Sequence, residues 1–227
     1  MALDISTLDP AKTVVVATGN PHKVTEIEAI LGQSLPGVRF VALGELGDFP
    51  DPVEDGDTFA ENAYIKAAAA LDNTGLAMAV ADDSGLCVDA LDGAPGIFSA
   101  RWAGEHGNDA ANNQKLMRLM GDVPRERRTA RFHSSVVLVE RDEDGEGVTH
   151  GEGDCEGFVG TEPRGDGGFG YDPLFIPDEV GVPGGGGTAE NTQGRSYAEL
   201  SAAEKDAISH RGRAMEKLEA KLPAFLG

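Results

Sequence analysis

The sequence predicts an α/β protein, because runs typical of buried strands alternate with capped helices. A β-branched run at residues 13–17 indicates a strand, and a tight turn and a helix ending before Gly32 follow it. A second apolar run, residues 76–81, stops at two adjacent carboxylates, Asp82 and Asp83. Open α/β sheets bind ligands beyond the ends of their strands. We therefore expect the reactive site at the end of this run. Only one of the two carboxylates should face the ligand, since neighbouring strand residues point to opposite faces. An ordinary Asp-Ser-Gly turn is the alternative.

Charge and composition narrow the class of partner. The 227 residues carry a net charge of −20, which argues against a general duplex-DNA surface. A few local lysines and a metal would still hold the phosphates of a nucleotide. No apolar run approaches the ~18 residues of a membrane span, and no signal peptide is recognised. Cys87 and Cys155 lie far apart without a CxxC spacing, so a reducing cytoplasm is the simplest location.

The turn at residues 18–23 is a candidate phosphate site. Asn20 suits the N-cap of the following helix, Pro21 its first position and Gly32 its stop. A helix N-terminus offers N–H groups and a positive dipole to an anion. Lys23 in the first turn is unfavourable to that dipole unless an anion binds. A plain turn with a surface lysine is the alternative, and the missing GKS/T ending excludes a Walker A loop.

An acidic loop and a capped helix come next. Residues 48–57 contain five acids, most of which we expect to be solvated. Thr58 and Glu61 then match a capping box, which predicts a helix to about Leu71 and a structural role for Glu61. Lys66 on this helix reaches a phosphate if the helix docks near the turn; otherwise it is a solvated lysine.

The remaining elements follow from periodicity and turn residues. We expect strands at residues 38–43, 86–91, 130–140 and 148–155, a helix at 109–120, an ordered loop at 94–102 and a solvated acidic hairpin tip at 142–147. The tip does not fit a calcium loop.

A glycine-rich loop at residues 165–170 matches GxGxxG but fails as a dinucleotide fingerprint. Tyr171-Asp172-Pro173 follows it, so no helix can open there. Phe169 and Tyr171 instead suggest a platform on which a base stacks, against the alternative of a loop with buried aromatics.

The C-terminal part begins with a low-complexity segment, residues 181–194, which we expect to be mobile. Ser201 and Glu204 match a second capping box and start the last helical region. We expect a kink or break at Gly212 and an end at Pro223.

Together these segments resemble the HAM1/ITPase family, most closely its bacterial branch. The matching pieces run in family order across nearly the whole chain: residues 17–20 with Lys23, Glu54 with 58–59 and 61–62, 65–67, 81–86, 93–96 with 99–101, 168–173, 197–200, 204–205 and 209–211. The departures are the glycine-rich insertion near 184–187, Arg195 where relatives often carry lysine, and the acidic surface.

The resemblance implies a fold and a reaction. The fold is an elongated, mixed-sheet α/β fold of the Maf/HAM1 type, with two lobes around a central substrate cleft in one catalytic domain spanning residues 1–227, usually as a homodimer. The reaction is the Mg²⁺-dependent hydrolysis of ITP, dITP and XTP to the monophosphate and pyrophosphate, which sanitises the nucleotide pool. No nucleic acid or membrane partner is expected.

The resemblance also implies roles for individual residues. Asp83 is the proton acceptor, Glu54 and Asp83 bind the metal, and the substrate contacts are Thr18, Gly19, Asn20, Pro21, His22, Lys23, Lys66, Ser84, Phe169, Gly170, Tyr171, Asp172, Lys205, His210 and Arg211. Three alternatives stay open: a Maf-like pyrophosphatase of other specificity, a nucleotide-binding module without turnover, and an acidic cation-binding or partner-binding protein.

Overall fold

The computed structural model describes residues 3–18, 21–178 and 194–225, and within them it confirms the α/β class. Gly19, Asn20 and all of the glycine-rich segment except Gly194 lie outside the described residues. No helix among the described residues is long and apolar enough to cross a bilayer.

Six strands form one mixed sheet in the order β2-β1-β3-β4-β5-β6. Their bounds are β1 Thr13–Val16, β2 Arg39–Ala42, β3 Met78–Val88, β4 Thr129–Arg141, β5 Glu146–Val159 and β6 Phe175–Pro177. β1 runs parallel to β2 and to β3, whereas β5 and β6 are antiparallel. The first five strands correspond to predicted strands, except that Asp89–Leu91 form a 3₁₀ helix where a strand was expected. The three-residue β6 was not predicted, because it is too short to show a period.

Seven α-helices are described: α1 Pro21–Leu31, α2 Leu43–Leu46, α3 Phe59–Thr74, α4 Asp109–Met120, α5 Ala202–Ala207, α6 His210–Glu219 and α7 Leu222–Phe225. The capping box that opens α3 is present, because the Thr58 hydroxyl accepts the Glu61 N–H and the Glu61 carboxylate accepts the Thr58 N–H. α3 runs three residues beyond the predicted end and stops at Gly75, whose φ of 67° suits glycine.

The strand end predicted at Asp82 and Asp83 is wrong, and so is the alternative of an Asp-Ser-Gly turn. Asp82, Asp83, Ser84 and Gly85 lie inside β3, which continues without a break from Met78 to Val88. β1 pairs only with the first residues of β3, but the thirteen-residue β4 lies on its other side. Pairing with a long neighbour overrides the weak turn preference of Ser and Gly. The two carboxylates therefore sit in mid-strand rather than at a strand end.

The C-terminal helical region is also divided differently from the prediction. The chain breaks after α5 at Ile208, and Gly212 lies inside α6. Pro223 occupies the second position of α7 rather than ending a helix. Proline is tolerated in a first helical turn, where its missing N–H has no intrahelical acceptor.

The chain divides into two compact units. Unit 1 comprises residues 1–83, 134–153 and 213–227, and unit 2 comprises 84–133 and 154–212. Two apolar clusters form the core of unit 1, one of them around Ile27, Leu138 and Met215. Unit 2 has its own core around Leu116, Phe132 and Phe175.

Candidate active site

In unit 1, the predicted phosphate turn joins β1 to α1. The Ala17 N–H donates to Val80 of β3, and the Thr18 carbonyl accepts the Gly44 N–H, so both neighbouring elements hold the start of the turn. Pro21 begins α1, as predicted. Gly19 and Asn20 lie outside the described residues, so the N-cap role of Asn20 stays a prediction. The positions of the His22 and Lys23 side chains also stay predictions.

One ammonium group lies between two carboxylates of unit 1. Lys66 Nζ, on α3, is 2.8 Å from Asp83 Oδ1 on β3 and 3.7 Å from Glu54 Oε2 in the acidic loop. All three side chains are shielded, with exposed fractions of 19%, 12% and 27%. The structure thus brings together three predicted site residues that are distant in the sequence.

Burial makes Asp83 more basic than an ordinary aspartate. Desolvation raises its pKa, the positive charge and hydrogen bond of Lys66 oppose this, and the negative charges of Glu54 and Asp82 add to it. The net direction is upward. A carboxyl with a raised pKa accepts a proton more readily than a solvated one.

The acidic loop is fixed to the first turns of α3. Asn62 Oδ1 accepts the Gly56 N–H at 2.9 Å, and Glu61 Oε2 accepts the Asp57 N–H at 2.7 Å. Asn62 is fully buried, and its Nδ2 has no hydrogen-bond partner in the described structure. These contacts set the path of the chain two residues after Glu54. The sequence reasoning assigned no such role to Asn62.

A cavity of about 230 Å³ lies beside these groups, within unit 1. Thr18, Glu54 and Lys66 line it together with Asp48, Asp51 and other residues of the loop. Among the described residues, no three His, Cys, Asp or Glu side chains are grouped to hold a metal ion. A metal here would depend on the two carboxylates and on ligands supplied by the substrate.

Unit 2 contains a second cavity of about 150 Å³. It contains seven of the predicted substrate-binding residues, and its full lining is Ser84, Gly85, Ser99, Ala100, Asp109, Phe132, Phe169, Gly170, Tyr171, Asp172, His210 and Arg211. The Phe169 side chain is 72% exposed, so one aromatic face is open for stacking. We call this cavity the base pocket, after the stacking role that the sequence predicts for Phe169 and Tyr171.

A buried ion pair supports the base pocket. Asp172 is 4% exposed, and its Oδ2 accepts from Lys205 Nζ at 2.6 Å and from the Phe169 N–H at 3.0 Å. Burial raises the pKa of Asp172, although the Lys205 hydrogen bond and charge act against it. Lys205 Nζ also lies 5.2 Å from the ring centre of Tyr197. Lys205 thus neutralises Asp172, and its contact with substrate stays a prediction.

Two aromatic side chains, His210 and Tyr171, form part of the wall of the base pocket. His210, the first residue of α6, stacks on Phe132 with ring centres 5.2 Å apart. The Tyr171 hydroxyl donates to the Ser99 carbonyl at 3.0 Å, and burial raises the pKa of Tyr171 well above its usual range. Tyr171 is thus a neutral, fixed wall residue.

Helix α4 supports the base pocket, and the sequence reasoning missed this role. Asp109 and Asn113 bond to Gly170, and the Asn112 side chain bonds to the backbone of Ala100 and Ala103. The sequence offered one signal for this role: four polar residues stand at the start of an otherwise amphipathic helix, namely Asp109, Asn112, Asn113 and Gln114.

The model of the Ham1 family matches residues 14–221. The chain therefore belongs to the Ham1 family, as its sequence motifs predicted. A protein of Corynebacterium glutamicum strain R, named dITP/XTP pyrophosphatase, is 48% identical over 211 residues, covering 92% of this chain and 96% of the relative. A protein of the same name from Xanthomonas oryzae is 48% identical over 214 residues, with 94% and 98% covered.

Solved structures agree with this assignment. The Ham1 protein of Staphylococcus aureus superposes with a TM-score of 0.77 at 34% identity and covers 94% of this chain and 99% of its own. A HAM1 protein from Coxiella burnetii gives a TM-score of 0.76 at 39% identity, with 93% and 98% covered. The expected HAM1-type α/β fold is confirmed.

Proposed function

We propose that the protein hydrolyses non-standard purine nucleoside triphosphates, namely ITP, dITP and XTP, to the monophosphate and pyrophosphate. The relatives at 48% identity, which carry the name dITP/XTP pyrophosphatase, support this assignment. The observation that carries it is the cluster of Lys66, Asp83 and Glu54 in unit 1. Such hydrolysis would remove aberrant precursors from the nucleotide pool.

The donor set of unit 1 fits a hard divalent cation. The carboxylates of Glu54 and Asp83 both form ion pairs with the Lys66 ammonium. They are therefore placed so that both can bind one cation. Mg²⁺ favours oxygen ligands and typically takes one or two carboxylates plus substrate phosphates. Glu54 and Asp83 would hold it, and the ion would offset charge on the phosphates.

Asp83 is the proton acceptor in this proposal. Its raised pKa suits it to take a proton from the water that attacks phosphorus. Lys66 Nζ lies 2.8 Å from the Asp83 carboxylate. When a triphosphate binds, the Lys66 ammonium turns towards the phosphate oxygens and stabilises the charge that develops there.

The turn from Thr18 to Lys23 holds the triphosphate. The N-terminus of α1 directs backbone N–H groups at an anion, and the charge of Lys23 adds to their attraction. The cavity beside Thr18 and Lys66 gives the phosphates room within unit 1.

The base pocket selects the purine. Phe169 offers an open ring face for stacking, and Ser84 and Tyr171 line the same cavity. Arg211 is a hydrogen-bond donor only, so it matches the C6 carbonyl of hypoxanthine and xanthine and leaves the C6 amino group of adenine unmatched.

The proposal extends to the whole chain. Within one catalytic domain, we assign phosphate binding to unit 1 and base binding to unit 2. The enzyme acts in the cytoplasm as a homodimer on small nucleotides.

The test is a product assay with ITP and Mg²⁺ on the wild-type protein, Asp83→Asn and the matched neighbour Asp82→Asn. We expect pyrophosphate and IMP from the wild type, and a turnover lower by about 10²–10⁴ in Asp83→Asn with ITP binding retained, since a general base contributes that much. Orthophosphate as the first product would refute the reaction. A nearly normal Asp83→Asn beside an inactive Asp82→Asn would assign the proton acceptor to Asp82.

A further inference from the structure

Two side chains of helix α4 bind the backbone N–H and the backbone carbonyl of Gly170, a residue of the base pocket. Asp109 Oδ2 accepts the Gly170 N–H at 2.7 Å, and Asn113 Nδ2 donates to the Gly170 carbonyl at 2.7 Å. Asp109 and Asn113 are four residues apart, so they share one face of the helix. Gly170 itself lines the pocket between Phe169 and Tyr171.

The side chains of Asp109 and Asn113 differ in their relation to the base pocket. Asp109 lines the base pocket, whereas Asn113 does not. Only Oδ2 of the Asp109 carboxylate is occupied by a described hydrogen bond, so Oδ1 remains an acceptor. Asp109 is the first residue of α4, where the helix dipole stabilises a negative charge.

The base pocket therefore contains two carboxylates in different states. Asp172 is neutralised by Lys205 at 2.6 Å. Asp109, by contrast, forms no ion pair with any Lys, Arg or His in the part of the chain that the structure describes. Its negative charge also acts on Tyr171 and Asp172. An unneutralised carboxylate in a ligand cavity favours a ligand that brings an N–H donor.

We propose that Asp109 is a specificity-determining residue whose carboxylate accepts the ring N1–H of a 6-oxopurine. This inference rests on the proposed function and assigns a role within the same pocket. Hypoxanthine and xanthine carry an N1–H beside the C6 carbonyl, so an acceptor at Asp109 and a donor at Arg211 match the two groups. Adenine has a lone pair at N1 and an amino group at C6, so it opposes both.

The same chemistry limits what Asp109 can do. Guanine also carries the N1–H and the C6 carbonyl, so Asp109 separates 6-oxopurines from adenine and does not reject guanine. Rejection of guanine therefore depends on its C2 amino group, the one feature that distinguishes it from hypoxanthine.

The informative variant is Asp109→Asn. The asparagine oxygen still accepts the Gly170 N–H, but the second group becomes an NH₂ donor, which opposes N1–H and suits the lone pair of adenine. We expect the affinity for IMP to fall by about tenfold to a hundredfold, as for an unpaired buried polar group, and that for AMP to stay or rise. Asn113→Ala is the matched control: it removes a bond to Gly170 without changing the pocket lining, so IMP and AMP should weaken by one common factor.

The measurement is calorimetric binding of IMP, AMP and 1-methyl-IMP to the wild type and both variants, with thermal melts to show folding. The wild type should prefer IMP to AMP and should lose this preference with 1-methyl-IMP, which lacks the N1–H; this comparison needs no variant. If Asp109→Asn weakens IMP and AMP equally, or if the wild type does not distinguish them, Asp109 acts only through Gly170 and the inference fails. Because binding needs no turnover, failure of the proposed hydrolysis would appear separately, in the product assay.

Discussion

Gly168 lies against the carboxylate of Asp172, so replacing it by alanine should disturb the base pocket that Asp172 lines. A Cβ at this position would lie 1.9 Å from Asp172 Oδ2, and the φ of +75° is one that alanine rarely adopts. The Asp172 oxygen that would be displaced is the one that accepts from both Lys205 and the Phe169 N–H. The substitution therefore disturbs the ion pair and the backbone of the stacking residue together.

Gly168→Ala should lower the free energy of unfolding through two effects. The left-handed backbone costs alanine about 1–2 kcal/mol. Losing the charge-assisted contacts of Asp172 adds about 1.5–3 kcal/mol. The matched control, Gly170→Ala, has a φ of +60° but nothing within 4 Å of the added Cβ, so it incurs only the backbone part.

The assay is thermal unfolding of the wild type, Gly168→Ala and Gly170→Ala in the same buffer. For a chain of this size, 1 kcal/mol shifts Tm by roughly 2–4 °C. Gly168→Ala should therefore melt about 3–12 °C below Gly170→Ala. Equal melting temperatures would refute the argument, because they would show that Asp172 yields to the methyl group without losing its partners.

Further predictions concern the base pocket, the acidic loop and a helix cap. Arg211→Ala should lower kcat/KM sharply for ITP and little for ATP; an equal loss for both in steady-state kinetics would make Arg211 a phosphate or structural residue. Gly56→Ala should lower turnover of ITP, because its Cβ would lie 2.7 Å from Glu61 Cβ and shift the loop that carries Glu54; an unchanged kcat would contradict this. The pKa of Glu204 is lowered to about 2, first by its hydrogen bond to Arg195, so its cap stabilises the fold above pH 4.5 and is lost as the pH falls towards 2. An NMR titration of the Glu204 carboxyl should show that low midpoint, and a midpoint near 4.5 would rule it out.

Local signals predicted most of the fold. The strand-turn-helix at β1 and α1, the capping box of α3 and the helix α4 follow from propensity and capping, which act within a few residues. The prediction failed where distant parts of the chain decide the outcome. Residues 82–85 look like a turn, but the long β4 beside them keeps them in β3. In the same way, Pro223 looks like a stop, but the chain re-enters a helix around it.

In the candidate site, too, the sequence predicted some features and missed those that depend on contacts between distant segments. Lys66, Asp83 and Glu54 were chosen from the sequence, and the structure brings their charged groups together. The sequence reasoning did not recognise that Asn62 fixes the acidic loop, or that Asp109 and Asn113 hold Gly170. Each of these contacts either joins segments that are separated along the chain or lies in a loop without hydrophobic periodicity. No local sequence pattern therefore predicts it.

The central claim is that the protein hydrolyses non-standard 6-oxopurine triphosphates in preference to the standard ones. The most direct test is pyrophosphate release from ITP, XTP, dATP and GTP by the wild-type protein at one Mg²⁺ concentration, measured as kcat/KM. The account predicts that kcat/KM for ITP and XTP exceeds that for dATP by up to ~10⁴-fold, the range that several unmatched polar groups together provide, and exceeds that for GTP by a smaller factor, because guanine differs from hypoxanthine only at its C2 amino group. Comparable values for all four substrates would contradict it.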